Sequence, residues 1–375
     1  MTSTPPASTG PASAGSDLAG SDLAGSDLAG SDSTGSDLAG PASTGPASGG
    51  SGSGGSASAS SGGVPGRSAG RSGDRAASGP DAAVPLEGQA AVDQLLEVLD
   101  LKQLDPARFR GESPQVGAQR VFGGQVAGQA LVAAGRTVAP DRFVHSLHGY
   151  FVRPGDPTVP IDFTVETIRD GRSFSVRRST AQQHGKTIFF MSASFQVVEE
   201  GLDHHSPAPE GIPGPDETPT MRDWLARYPQ RRAAFNTAPQ AIDVRYVNTP
   251  GWVPPGDRDA AALQRVWMRI NGKLPDDPLI HACALTYASD LSLLDSVLSV
   301  HGEVWGPGGV IGASLDHALW FHRRFRADEW FLYDCTSPSA SGSRGLATGR
   351  LFTESGAHIA SAVQEGLLRR VGTRP

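Results

Sequence analysis

DDPLIHACALTYASDLSLLDSVLSV, residues 276–300, is the stretch whose reading decides the fold. Asp277 followed by Pro278 is an N-cap with proline at the first helical position. Ile280, Cys283, Tyr287 and Leu294 then recur as one apolar stripe, so a helix is expected. A strand-like run, RVWMRI, precedes it. Four more follow: VIGASLDHALWFHRR, WFLYDCTSPSA, GLATGRLFTE and HIASAVQEGLLRR.

The same order occurs upstream. GQAAVDQLLEVLDLKQLD (88–105) reads as an amphipathic helix with Val92, Leu95, Leu96 and Leu99 on one side. VFGGQVAGQALVAAGRTV (121–138) repeats small apolar residues at helical intervals behind a glycine pair. Four strand-like segments come next, punctuated by PGDP, RDGR and QHGK turns. Gly171 to Gly185 and Gly342 to Gly356 are both fourteen residues, with Ile188 and Ile359 three beyond the second glycine. Tyr150-Phe151-Val152-Arg153 echoes Trp320-Phe321-His322-Arg323. Agreement in order, spacing and element type indicates duplication. Each half is one long helix followed by an antiparallel sheet, and a sheet apolar on both faces needs cover on both. The expected fold is α+β: a double hotdog, two tandem helix-wrapped antiparallel sheets in one chain.

Residues 1–85 are almost entirely Gly, Ala, Ser, Pro, Thr and Asp, with a five-residue period in GSDLAGSDLAG and no aromatic residue before Phe109. Such a segment cannot bury enough apolar surface to offset its ordering entropy, and a disordered tail is expected. The folded part divides into a first half over 86–200, a Pro-rich linker over 201–250 and a second half over 251–375. The net charge of −7 and scattered basic residues argue against nucleic-acid binding. No apolar run reaches membrane-spanning length. Cys283 and Cys335 fit no metal spacing, and a reducing cytoplasm is the simplest compartment. The final Thr373-Arg374-Pro375 is not a peroxisomal address.

GASLDHALWFHRR (312–324) gathers a serine, an aspartate and two histidines. Read as one unbroken strand, it places Ser314, Asp316, Ala318, Trp320 and His322 on one face. Leu315, His317, Leu319 and Phe321 fall on the other. Ser314 and His317 then point apart and form no local nucleophile–base pair. Asp316 and His322 are about 20 Å apart along such a strand, too far to share a metal ion. Both histidines read as structural hydrogen-bonding groups. Asp290 lies seven residues after Cys283, within roughly 20° of the apolar stripe, where a carboxylate would be desolvated and its pKa raised. Alternatively the helix ends at Ser289 and Asp290 caps the next turn, so the two readings differ in exposure. In the last strand His358, Ala360, Ala362 and Gln364 share a face, leaving room for a ligand beside Gln364; taken alone, a Gln in a strand also reads as an edge or packing residue.

VFGGQVAGQAL, HSLHGYFVRPGDP, DGRSFSVRR, TYASDLSLL, SLDHALWFHR and AVQEG together resemble the type II acyl-CoA thioesterases over residues 90–371. The resemblance implies hydrolysis of fatty acyl-CoA to free CoA and fatty acid, with no metal, no cofactor and no covalent acyl-enzyme. It implies a catalytic set of Asp290, Ser314 and Gln364 holding the attacking water. Some relatives carry Thr in place of Ser314. Backbone amides at Gly123 and Gly124 are candidate substrate-binding donors; close helix–sheet packing is the other reading of that pair. A homo-oligomer is expected because sheet edges are rarely left bare. Two alternatives stand beside this reading. One is a hotdog hydratase or dehydratase, for which His281 lacks a matching carboxylate pattern. The other is a non-catalytic acyl-CoA sensor, which would not need the three polar residues.

Overall fold

The computed structural model describes residues 87–114, 120–229, 241–254, 256, 263–306 and 309–370. The low-complexity tail expected over 1–85 lies outside them.

Helix α1 (Gln89–Leu99) buries Val92, Leu95 and Leu99. It is shorter than the run 88–105 suggests. Lys102–Asp105 is a strand, β1, paired antiparallel with β2 (Arg108–Gly111). The turn between them is an Asx turn, in which the Ala107 amide donates to Asp105 Oδ1 at 2.9 Å. That local bond competes with helix continuation. Helix α2 (Gly123–Gly135) follows, then β3 (Arg142–Phe151), β4 (Ile161–Asp170), β5 (Phe174–Gln183) and β6 (Lys186–Val197).

Residues 201–250 contain helix α3 (Met221–Arg227) and β7 (Ile242–Tyr246). Thr220 caps α3 by accepting from the Asp223 amide, and the Asp223 carboxylate in turn accepts from the Thr220 amide. Strand β8 (Leu263–Ile270) leads to α4 (Pro278–Ser289), which Asp277 caps by accepting from the Leu279 amide. A short helix, α5 (Asp295–His301), comes next. Of the two readings for this stretch, the helix therefore ends at Ser289. The remaining strands are β9 (Val310–Ser314), β10 (Asp316–Phe321), β11 (Phe331–Ser341), β12 (Arg344–Thr353) and β13 (His358–Arg370).

Among the described residues the strands form one antiparallel sheet in the order β1-β2-β4-β5-β6-β3-β10-β13-β12-β11-β8-β7, with β9 also on β13. The halves join where β3 pairs with β10. His148 faces Ala318 there, flanked by Ser146 opposite Trp320 and Tyr150 opposite Asp316. That pattern is symmetric about its centre, as a duplicated unit meeting its copy requires. The repeat extends to detail. The Val152 and His322 amides donate to Ile188 and Ile359 carbonyls, both at 2.8 Å. Arg153 Nη1 and Arg323 Nη1 donate to the carbonyls of Thr187 and His358.

Helices α2 and α4 pack face to face inside the curled sheet. A Cβ on Gly124 would lie 2.4 Å from the Tyr287 carbonyl oxygen, and one on Gly128 would lie 3.2 Å from that of Cys283. At Gly124 only glycine allows this approach. Phe109, Phe163, Phe189 and Phe195 fill the first half's core, and Phe331, Tyr333 and Leu351 the second's, all 1% exposed or less.

Candidate active site

Asp290 sits where α4 stops, with φ −84° and ψ −4°. The stop has local and distant causes. Thr286 and Ser289 turn their hydroxyls back onto the Ala282 and Thr286 carbonyls. The Ser289 carbonyl, one of the last in the helix, accepts from Tyr333 Oη at 3.0 Å instead of from a fifth turn. Both expectations for Asp290 are thus partly met: the helix ends at Ser289, and the side chain still faces the interior.

Three elements converge on this carboxylate. Gln364 Nε2 donates to Asp290 Oδ1 at 2.5 Å, and Ser314 Oγ donates to the same oxygen at 3.2 Å. The Gly124 amide at the start of α2 also faces the carboxylate and favours its charged form. Oδ2 faces Gly123 so closely that a Cβ there would come within 2.7 Å. The glycine pair therefore serves close packing and the positive end of α2 together. Burial pushes the Asp290 carboxyl above the ordinary carboxylate range. Neighbouring His317, the bonds from Gln364 and Ser314, and the Gly124 amide oppose that shift without cancelling it. Burial and the nearby Asp290 push the Tyr287 phenol up to about 12.

The expected alternation along 310–323 is overturned. Ser314 pairs with Gly366, whereas Ala318 pairs with Val363, so the register slips by one residue. Leu315 is the extra residue of a β-bulge, and a bulge inverts every side chain beyond it. Asp316 repairs the ladder by accepting the Glu365 amide on Oδ1 at 2.7 Å. Ser314 and His317 consequently share the inward face with Gln364. His317 is fully buried, Nε2 lies 2.8 Å from Ser289 Oγ, and burial holds its pKa below the ordinary value. It stands beside the carboxylate, a neighbour that uninterrupted alternation hides. The Asp316 side chain, short and polar at a strand break, is the signal that could have found it. His322 bonds to Ser361 Oγ at 2.9 Å on the sheet's outer side, a structural role.

A pocket of about 650 Å³ opens onto Asp290 and Ser314. Gly123, Phe151, Arg153 and Ile188 of the first half line it with Leu291, Leu294 and Trp305 of the second. Neither half alone encloses this space. An apolar wall meeting a desolvated carboxylate and a serine hydroxyl, with Gln364 buried behind the carboxylate, can hold one polar reacting atom at the end of a hydrocarbon chain.

Residues 236–367 match the family model described as acyl-CoA thioesterase, and residues 110–196 match the acyl-CoA thioesterase N-terminal domain. Acyl-coenzyme A thioesterase 8 of Homo sapiens is 41% identical over 283 residues, 72% of this chain and 88% of that protein. Acyl-CoA thioesterase 2 of Haemophilus influenzae is 39% identical over 74% of this chain and 98% of its own length. The crystal structure of acyl-CoA thioesterase II TesB2 from Mycobacterium marinum superposes with a TM-score of 0.62 at 44% identity, covering 75% of this chain and all of that one. Sheet topology, duplicated halves and these similarities agree: the chain belongs to the acyl-CoA thioesterase family.

Proposed function

We propose that the chain hydrolyses fatty acyl-CoA thioesters by direct attack of water, with Asp290 as general base and Ser314 and Gln364 as orienters. The observation that carries this reading is the meeting of all three side chains at one desolvated carboxylate. Water held between them adds its oxygen to the thioester carbonyl carbon while Asp290 takes the proton. Collapse of the tetrahedral adduct breaks the carbon–sulfur bond. The proton on Asp290 then returns to the departing CoA thiolate, leaving fatty acid and free thiol. A carboxylate lifted by burial is a stronger base once ionised, which suits this step. Gly123 lines the pocket beside the carboxylate and contributes to the substrate wall.

Incubation of the full chain with palmitoyl-CoA and a thiol reagent tests the reading. Stoichiometric release of free thiol is expected. Binding without release would leave a sensor, and consumption of an enoyl-CoA without thiol release would leave a hydratase.

The wider assignments are part of the same proposal. The first half spans 86–200 and the second 251–375, joined through 201–250. Association of copies is supported by exposed aromatic residues on the sheet's outer side, Tyr150 and Trp320. No helix among the described residues is long and apolar enough to cross a membrane. A cytoplasmic setting accords with two buried free cysteines.

A further inference from the structure

The duplication produces a second cleft. Its walls repeat those of the candidate active site with the halves exchanged. The start of α4 replaces the start of α2, the end of α2 replaces the end of α4, and Phe321–Phe325 replaces Phe151–Gly155. This cleft is the larger, about 1120 Å³.

The polar set has been erased from it. Gly135 is the thirteenth residue from the start of α2, the position that Asp290 occupies counted from Pro278. Val144 stands just before the β3 bulge as Ser314 stands before the one at Leu315. Val144 pairs with Phe195 and Ser314 with Gly366, and two residues before these partners lie Ala193 and Gln364. Asp, Ser and Gln are thus replaced by Gly, Val and Ala. Nothing at those positions can hold or deprotonate a water.

The cleft has not become inert. The fourth residue of α2 is Val126, and its counterpart in α4 is His281. His281 is 4% exposed and lines the cleft. Its Nδ1 accepts the Ala327 amide at 3.1 Å, so the proton of the neutral ring resides on Nε2. Nε2 has no partner. Burial holds the ring's pKa below its ordinary value, which keeps it neutral near pH 7. Two further donors line the same space. Arg142 Nη1 is buried without a partner. Arg324 lies over the Phe143 ring at 3.6 Å and forms no ion pair among the described residues. A buried donor without an acceptor is costly, and a ligand oxygen removes that cost.

We propose that this cleft is a second, non-hydrolysing site for a fatty acyl group. The chain lies against Phe143, Val144 and Phe195, a carbonyl or carboxylate oxygen accepts from His281 Nε2, and the anionic end meets Arg142 and Arg324. The proposal rests on the reading that the sister pocket takes fatty acyl thioesters. Either the thioester or the released fatty acid presents the required oxygen.

Titration calorimetry on the full chain separates these sources. One arm uses palmitate. The other uses the ketone analogue of palmitoyl-CoA, in which a methylene between carbonyl and sulfur prevents cleavage. Two equivalents per chain are expected in at least one arm, and that arm identifies the source. Arg324→Glu, at an exposed position, and Val144→Trp, which fills the cleft, should each lower this to one equivalent while thiol release from palmitoyl-CoA persists. Circular dichroism checks folding, so that either variant suffices alone. His281→Phe should weaken the second site about tenfold, the loss of one hydrogen bond. A single equivalent in wild type in both arms, or two that persist in both folded variants, overturns the proposal. Failure of wild type to release thiol would overturn the hydrolase reading instead, leaving this stoichiometry to be judged separately.

Discussion

Gln364 Nε2 lies 2.5 Å from Asp290 Oδ1, so a residue of the last strand is bonded to a helix end 74 positions earlier. The same oxygen receives Ser314, so removal of the acceptor charge should disable the set while preserving its shape. Asp290→Asn is expected to lower kcat by about 10²–10⁴, the range for loss of a general base, with an unchanged circular dichroism spectrum. Ser314→Ala and Gln364→Ala should lower it less, roughly tenfold to a hundredfold, as losses of positioning. A folded Asp290→Asn protein that hydrolyses decanoyl-CoA at the wild-type rate would remove Asp290 from the mechanism.

Burial lifts the Asp290 carboxyl above its ordinary value, so the native state holds that proton more tightly than the unfolded chain does. The resulting stability is complete below the unfolded value of 3.8 and is lost as pH rises through the native one. Asp290→Asn should therefore melt higher than wild type at neutral pH, with the gap closing towards acid. Activity follows the opposite course, rising with pH as the base ionises. Parallel melting and kcat/KM series against pH check both, and equal melting temperatures throughout would refute the linkage.

Tyr333 is fully buried and ties β11 to the last carbonyl of α4. Tyr333→Phe removes the donor without changing the ring's volume. A loss of about 1–2 kcal/mol is expected in urea unfolding, the effect of leaving a buried carbonyl less satisfied. Because the bond fixes where α4 stops, kcat should fall as well. Unchanged stability would show that the helix end is set by Thr286 and Ser289 alone.

Gly124 has a backbone oxygen, not a flexible side chain, 2.4 Å from where a Cβ would stand. Gly124→Ala must push α2 away from α4 and should cost about 1–3 kcal/mol, the usual penalty for overpacking. The shift also draws the Gly124 amide from the Asp290 carboxylate, so activity should drop with stability. A variant with wild-type melting and turnover would show that the helices yield freely.

Much of this protein is legible from local pattern. Asp277-Pro278 marks the start of α4, the alternating β13 shows Ala360, Ala362 and Gln364 on one face, and matched glycine spacings betray the two halves. These features depend on backbone preferences and on periodicity within single elements, which neighbouring residues express directly. The candidate site is a different matter. Whether Ser314 and His317 look inward together depends on one extra residue at Leu315, which pairing with β13 accommodates and Asp316 stabilises. Where α4 ends depends on a hydroxyl from β11. The amide that meets Asp290 comes from the other half of the chain. Sequence alone determined a duplicated helix-and-sheet protein and the residue types available for chemistry. Tertiary structure decided which of them meet, because a strand's period of two inverts at a single bulge and because contacts across distant segments leave no trace in local spacing.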